Sequence, residues 1–214
     1  MTSVPVLKWE YSDNPNHQIV LFNAARELTE EIRERKLDAI DHSRDTRPTH
    51  IKLFEDLAPA DAPYYAGHYR GESFPHLKNI QVGIRIDPLV GSPASDVLEK
   101  MDSIANEIEQ TISTVDETFQ ENPRLSDENK LIQLVPIIAY IFVKFLEIHP
   151  YVNGNGHMAR FILHIIAWRY GFWPLKWTIE PRPGFPNYSD AIGRHRRSQP
   201  EPLEKLIFED FLRP

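Results

Sequence analysis

Cysteine is absent from the 214 residues, which excludes a disulfide framework, a thiolate zinc site and a cysteine nucleophile. Basic residues are outnumbered, with 24 Lys and Arg against 31 Asp and Glu and a formal net charge of −7. That deficit removes the domain-wide cationic footprint expected of a nucleic-acid-binding protein. There is also no long unbroken apolar run. The most hydrophobic stretch, Leu131 to Ile148, is interrupted by Gln133, Lys144 and Glu147 and reads as a buried core helix rather than a bilayer span. Met1 to Glu10 lacks the basic start and apolar stretch of a secretory leader, so cytoplasmic residence is expected, with neither membrane nor nucleic acid as a partner. Internal repeats and low-complexity segments are missing too.

What is present suits a core-forming globular chain: 41% hydrophobic and 26% charged residues, close to ordinary soluble proteins and sufficient to disfavour disorder. Asn23 to Ile40 carries Ala24, Leu28, Ile32, Leu37 and Ile40 at helical spacing among charged residues, an amphipathic helix. His42 to His50 is polar and reads as a loop ending near Pro48. Between Tyr64 and Pro88 the alternation of Gln81 to Ile86 predicts two short strands joined by Gly71 to Asn79, a flap-like hairpin. Helical spacing returns over Ser95 to Phe119 through Val97, Met101, Ile104, Ile108, Ile112 and Val115. Ser126 caps a further helix running to about Ile148, with Pro136 placed to kink it. Another helix is predicted over His157 to Tyr170, stopped by Gly171, and two shorter ones over Asn187 to Arg197 and Pro202 to Leu212. The expectation is an all-α domain with one small β-hairpin.

The segment richest in chemistry joins the two apolar helices: His149-Pro150-Tyr151-Val152-Asn153-Gly154-Asn155-Gly156-His157-Met158-Ala159-Arg160. Gly-Asn-Gly lets the backbone take positive φ and turn successive N–H groups toward one point. The helix that follows adds free N–H groups and the positive end of its dipole, so the whole is an anion cradle suited to phosphates. Arg160, one turn further, can give a phosphate oxygen a bidentate contact. His149 enters from the other side, where a neutral imidazole suits general-base work on an attacking hydroxyl.

This run resembles the active-site signature of the Fic/Doc family: a His, an aromatic two residues on, an acidic residue, Gly-Asn-Gly-Arg and a second Arg. Ala66-Gly67-His68-Tyr69-Arg70 followed by Ile80 to Gly83 is similar to that family's flap hairpin, and Tyr188 to Ile192 with Pro202-Leu203 to its closing helices. The resemblance implies a Fic-type helical domain over residues 60–214, preceded by an N-terminal helical extension over 1–59. It also implies a protein adenylyltransferase, moving AMP from ATP to a Ser, Thr or Tyr hydroxyl. In that scheme His149 is the catalytic base and Tyr151 anchors the loop. Gly154, Asn155 and Gly156 hold the α- and β-phosphates, Arg160 reaches toward the γ-phosphate, and Tyr188 forms a wall of the adenine pocket or simply packs on the core. A target protein would lie along the flap by strand addition, and a separate antitoxin-like inhibitor is a further partner of this kind.

Two positions depart from the pattern. Asn153 stands where a Mg²⁺-binding Asp or Glu is expected, and an amide oxygen gives up the charge that hard cations favour. Mg²⁺ is therefore an expected but weakened companion of ATP, and no residue is assigned as a certain metal ligand. His157 stands where the first arginine is expected, with fewer donors and mostly neutral at pH 7. His195 replaces an asparagine that many relatives place near the nucleotide. Two other readings thus stay open: transfer of a different phosphate-containing group, or a degenerate fold that binds a nucleotide or a protein without catalysis. The Ser-x-x-x-Glu spacings at Ser95, Ser103 and Ser113 lack the following Gly or Asn of the family's inhibitory helix and read as solvated helix faces. His149, His157 and His164 lack the carboxylate company of a metal site, the tryptophans Trp168, Trp173 and Trp177 read as core, and Arg194 to Arg197 reads as a basic helix end or a source of charge for the nucleotide.

Overall fold

The computed structural model describes residues 9–83 and 87–211. Eight α-helices appear among them: α1 His17–Arg33, α2 Ala39–Arg44, α3 Arg47–Phe54, α4 Val97–Glu121, α5 Asp127–Ile148, α6 Asn155–Arg169, α7 Tyr188–His195 and α8 Glu201–Phe211. The four-residue periodicity of α4 is fully used, since Val97, Met101, Ile104, Ile108, Ile112 and Val115 are all buried. Ser126 caps α5 by accepting from the Asn129 amide at 3.2 Å. The helix then runs on through Pro136, which lies on the exposed side together with Ile132, the residue whose carbonyl the proline leaves without an amide partner.

The long apolar α5 passes a length-and-composition test for a membrane span, yet most of that stretch is buried within the fold. It packs on α4, α6 and α8, while α6 also meets α1 and α2. α6 is covered nearly all round, with the whole run from His157 to Ala167 buried. These helices carry the core, and the loop between α5 and α6 opens at its edge.

Two expectations are corrected. The predicted helix over Asn23 to Ile40 is two helices, α1 and α2. The break falls where Arg35 takes a φ of 56° and Asp38 starts afresh, accepting from the Ile40 and Asp41 amides at 2.8 and 2.9 Å. The loop expected over His42 to His50 holds the end of α2 and the start of α3. Pro48 stands in the first turn of α3, where its missing N–H has no partner to lose, and so opens a helix rather than ending a segment. A third expectation, the hairpin flap, is not shown among the described residues. Pro63–Tyr65 is a 3-10 turn, Gln81 to Gly83 has no strand partner, and Ile84 to Ile86 lie outside the described residues.

The segments before Pro59 and after it contribute to one apolar cluster that includes Trp9, Leu28, Phe54, Phe142 and Phe161.

Candidate active site

His149 is the residue that ends α5, in the left-handed conformation with φ 54°. Arg70 holds that end in place. Its fully buried guanidinium donates to three carbonyls, from Nε to His149 at 2.8 Å, from Nη2 to Ile148 at 3.0 Å and from Nη1 to Ile80 at 3.3 Å. Its own backbone N–H donates to Pro150 O at 2.8 Å. The imidazole Nδ1–H donates to Leu146 O at 3.2 Å, so Nε2 is left as the bare acceptor. Burial pushes the His149 pKa down to about 4, with Arg70 and Arg196 adding repulsion, so the ring is neutral at pH 7.

The rest of the loop is fixed from within and from below. Tyr151 is fully buried, its hydroxyl 2.7 Å from Thr46 Oγ1 and its ring stacked on His50 at 3.8 Å. Asn155 turns its side chain inward, accepting from Tyr151 N and donating to Tyr151 O at 2.9 Å each. Asn155 therefore offers a ligand its backbone rather than its amide group. His50 accepts from the Gly67 amide at Nδ1 and donates from Nε2 to Asn153 O, both at 3.0 Å. Gly154 has a φ of 78°, and a Cβ there would stand 2.4 Å from Phe54 Cε2, so the turn requires glycine. The first-turn N–H groups of α6, at Asn155 and Gly156, have no carbonyl four residues back within the helix and remain to receive an anion.

Both departures from the family pattern are held by carboxylates from other elements. His157 is buried, and its Nε2 donates to Glu180 Oε2 at 2.8 Å. Burial lowers the pKa of His157, while the hydrogen bond from it holds the Glu180 carboxyl below its usual range. The pair is thus a neutral imidazole donating to a carboxylate. Asn153 accepts from the Gly154 amide at 2.9 Å through Oδ1, and its Nδ2 donates to Glu10 Oε2 at 3.2 Å. Tyr11 sets its ring edge-on to His157, 5.7 Å between centroids. Arg160 is buried with Nε and Nη2 both donating to Ile179 O, at 2.9 and 2.7 Å. Its Nη1 is the arm nearest Gly156, since a Cβ at that glycine would lie 3.2 Å from it.

A cleft of about 880 Å³ brings His149, Asn153, Gly154, Asn155, Gly156, His157, Arg160 and Tyr188 to one place. Tyr188 lines the cleft, and its ring packs 5.3 Å from that of the fully buried Trp177. His195 is not among the residues lining the cleft, whereas Arg194, Arg196 and Arg197 are. Sequence reasoning missed Tyr11, Asp87, Glu180 and Arg182, all of which line it. These are ordinary residues in undistinguished segments, and no local spacing marks them.

His164 lies apart from this cleft, with Nε2 against Trp177 O. Among the described residues no group of three His, Asp or Glu side chains is placed to hold a metal ion. The residues that would meet a Mg²⁺ ion do not suit it. The Asn153 oxygen already accepts a backbone N–H, and the nearby Glu10 carboxylate faces amide hydrogens.

The sequence matches the model of the Fic/DOC family over residues 21–167. A Fido domain-containing protein of Dictyostelium discoideum is 36% identical over 36 residues, which is 17% of this chain and 25% of that protein. The chain thus spans about a quarter of that relative's length. Among solved structures, the crystal structure of the BepC protein of Bartonella tribocorum, a VirB-translocated effector with bound AMPPNP, superposes with a TM-score of 0.53 at 15% identity. The match covers 98% of this chain and 94% of BepC.

Proposed function

Because the chain belongs to the Fic/DOC family, we propose that it is a protein adenylyltransferase that moves AMP from ATP to a Ser, Thr or Tyr hydroxyl of a target protein. The observation that carries this reading is the imidazole of His149, neutral at pH 7, with Nδ1 tied to Leu146 O and lining the same cleft as the free N-terminus of α6. His149 Nε2 takes the proton from the acceptor hydroxyl as its oxygen bonds to the α-phosphorus. The bond from that phosphorus to the bridging oxygen breaks, and pyrophosphate leaves. The Asn155 and Gly156 N–H groups stabilise charge on the phosphate oxygens. No step is routed through Mg²⁺. The bound ATP analogue in BepC supports a nucleotide as the ligand of this cleft. The target would lie along residues 64–88, in the cytoplasm, with an antitoxin-like chain as a separate inhibitor.

A second reading is favoured by Asn153 and His157, each neutral and each held by a carboxylate: a cleft that binds a nucleotide and transfers another phosphate-containing group, or none. Intact-mass spectrometry after incubation with ATP and Mg²⁺, alone and with host-cell lysate, separates the two. An AMP adduct that disappears in His149→Ala is the expected result. A different adduct, or nucleotide binding without any adduct when Asn153→Asp/His157→Arg does form one, would replace the first reading by the second.

A further inference from the structure

Five guanidinium groups line the cleft, and four of them are engaged or exposed. Arg160 is held by Ile179 O, Arg182 donates to Ser189 Oγ, Arg194 pairs with Asp190 at 2.8 Å, and Arg197 divides its donors between Gly193 O and Asp87. Arg196 differs. Its side chain is only 7% exposed. Nη1 donates to Asp87 Oδ2, and its Nε–H has no acceptor among the described residues. A buried donor without an acceptor is rare in folded proteins, because the lost hydration is not replaced. Where such a donor belongs to a cation in a ligand-sized cleft, an anion is the natural acceptor.

The surroundings narrow the choice of anion. Asp87 binds Arg196 and Arg197 together, so one carboxylate is shared between two guanidinium groups in this corner. Asp87 lies beside the segment whose Gly91 and Ser92 amides donate to Glu147 O and Ile148 O, the last turn before His149. Arg196, at the end of α7, is therefore tied by Asp87 to the side of the cleft where the base stands, and both line that cleft.

We propose that Arg196 is a phosphate-binding residue, its Nε–H donating to an oxygen of the phosphate that His149 faces. This rests on the reading of the cleft as a nucleotide site and adds a cation on the His149 side, where the family motif places none. It supplies charge that His157 does not. Asp87 positions the guanidinium and leaves Nε for the ligand. The charge of Arg196 also acts on His149, together with that of Arg70 and against the Leu146 carbonyl.

The test compares AMP with adenosine, which differ by the phosphate alone, by calorimetry on the full chain. Arg196→Lys keeps a cation opposite Asp87 but has no Nε–H. It is expected to weaken AMP binding about tenfold and leave adenosine binding unchanged. Arg196→Gln should weaken AMP binding further, and the His149 ring should titrate at higher pH by NMR, with far-UV circular dichroism reporting an intact fold. Equal AMP and adenosine affinities in Arg196→Lys and the unaltered protein would overturn the proposal, as would an equal loss of both ligands. If the unaltered protein binds neither AMP nor AMPPNP, the nucleotide reading itself fails. If it binds both but forms no AMP adduct, the adenylyltransferase reading fails and Arg196 stands or falls on the comparison of AMP with adenosine.

Discussion

The two ends of the loop between α5 and α6 are built on different plans. At the His149 end the imidazole is fixed by its own helix through Leu146 O, and the backbone around it by Arg70. Nothing there neutralises the group that would act. At the other end, Asn153 and His157 carry no charge of their own, and Glu10 and Glu180 have been brought in against them from residues far away in the chain. In the proposed reading the proton-accepting part of the site is complete, while its phosphate-facing part has two carboxylates where that reading expects two positive contributions, a metal ion and an arginine. A base end that stands by itself and a charge end hemmed in by acids should respond to mutation in opposite directions.

The largest effect should follow removal of the base. His149→Ala is expected to reduce AMP transfer by about 10²- to 10⁴-fold, read by adduct mass, while AMPPNP affinity stays within a factor of two or so, because in the proposed reaction the imidazole takes a proton and the phosphates rest on the α6 N–H groups and the arginines. Loss of binding equal to the loss of transfer would dissolve the distinction between the ends. Next in size is Arg70→Ala, which removes three hydrogen bonds, leaving the carbonyls of His149 and Ile80 without their donor and that of Ile148 with the Ser92 amide alone. Each lost bond costs about 1 kcal/mol or more, so a loss of about 3 kcal/mol and a fall in Tm of roughly 6–12 °C are expected.

The loop that lines the cleft was legible because its residues are local. Twelve consecutive residues hold His149, the glycine turn and Arg160, and the helices on either side announce themselves by apolar spacing. The same spacing placed every buried residue of α4. The acids were illegible because nothing in Glu10 or Glu180 sets them apart from other glutamates until the fold lays them beside residues 143 and 23 positions away. His50 was hidden in the same manner. Its segment is polar enough to read as a loop, yet α3 buries the ring under Tyr151 and joins Gly67 to Asn153 through it. Misplacing α1 had a narrower cause. Arg35 and Asp38 break the helix without glycine or proline, the residues that sequence reasoning relies on for such breaks.

Acid should reach the two ends unequally. Burial lowers His50 to about 3, and His149 and His164 to about 4. Each of these rings stays neutral in the fold but takes up a proton in the unfolded chain below the ordinary value near 6.5. Their contribution to stability is therefore complete above that value and is lost as pH falls toward 4, by up to about 1.4 kcal/mol per pH unit for each ring. Urea midpoints at pH 7, 6 and 5 should decline accordingly, and His164→Asn should flatten the slope. Transfer itself should stay level from pH 8 to about 5, since His149 keeps its free Nε2 throughout. An activity limb near 6.5 would mean that the imidazole is solvated in the working enzyme.

The charge end can be probed without breaking it. Glu180→Gln keeps an acceptor for His157 Nε2 and removes the negative charge, so AMPPNP should bind about tenfold tighter while adenosine is unaffected. Asn153→Asp should have the smallest effect, and its direction discriminates. The new carboxylate still accepts from the Gly154 amide, but its second oxygen replaces the Nδ2 donor that faces Glu10 at 3.2 Å. Two exposed like charges at that range repel by about 0.5–1 kcal/mol, and Glu10, being free to swing into solvent, yields first. Stability in urea should fall by that amount in Asn153→Asp and recover in Asn153→Asp/Glu10→Gln, with the coupling between the two positions given by the double-mutant cycle. Zero coupling would mean that Glu10 does not guard the loop, and that the acids at this end reduce to Glu180 alone.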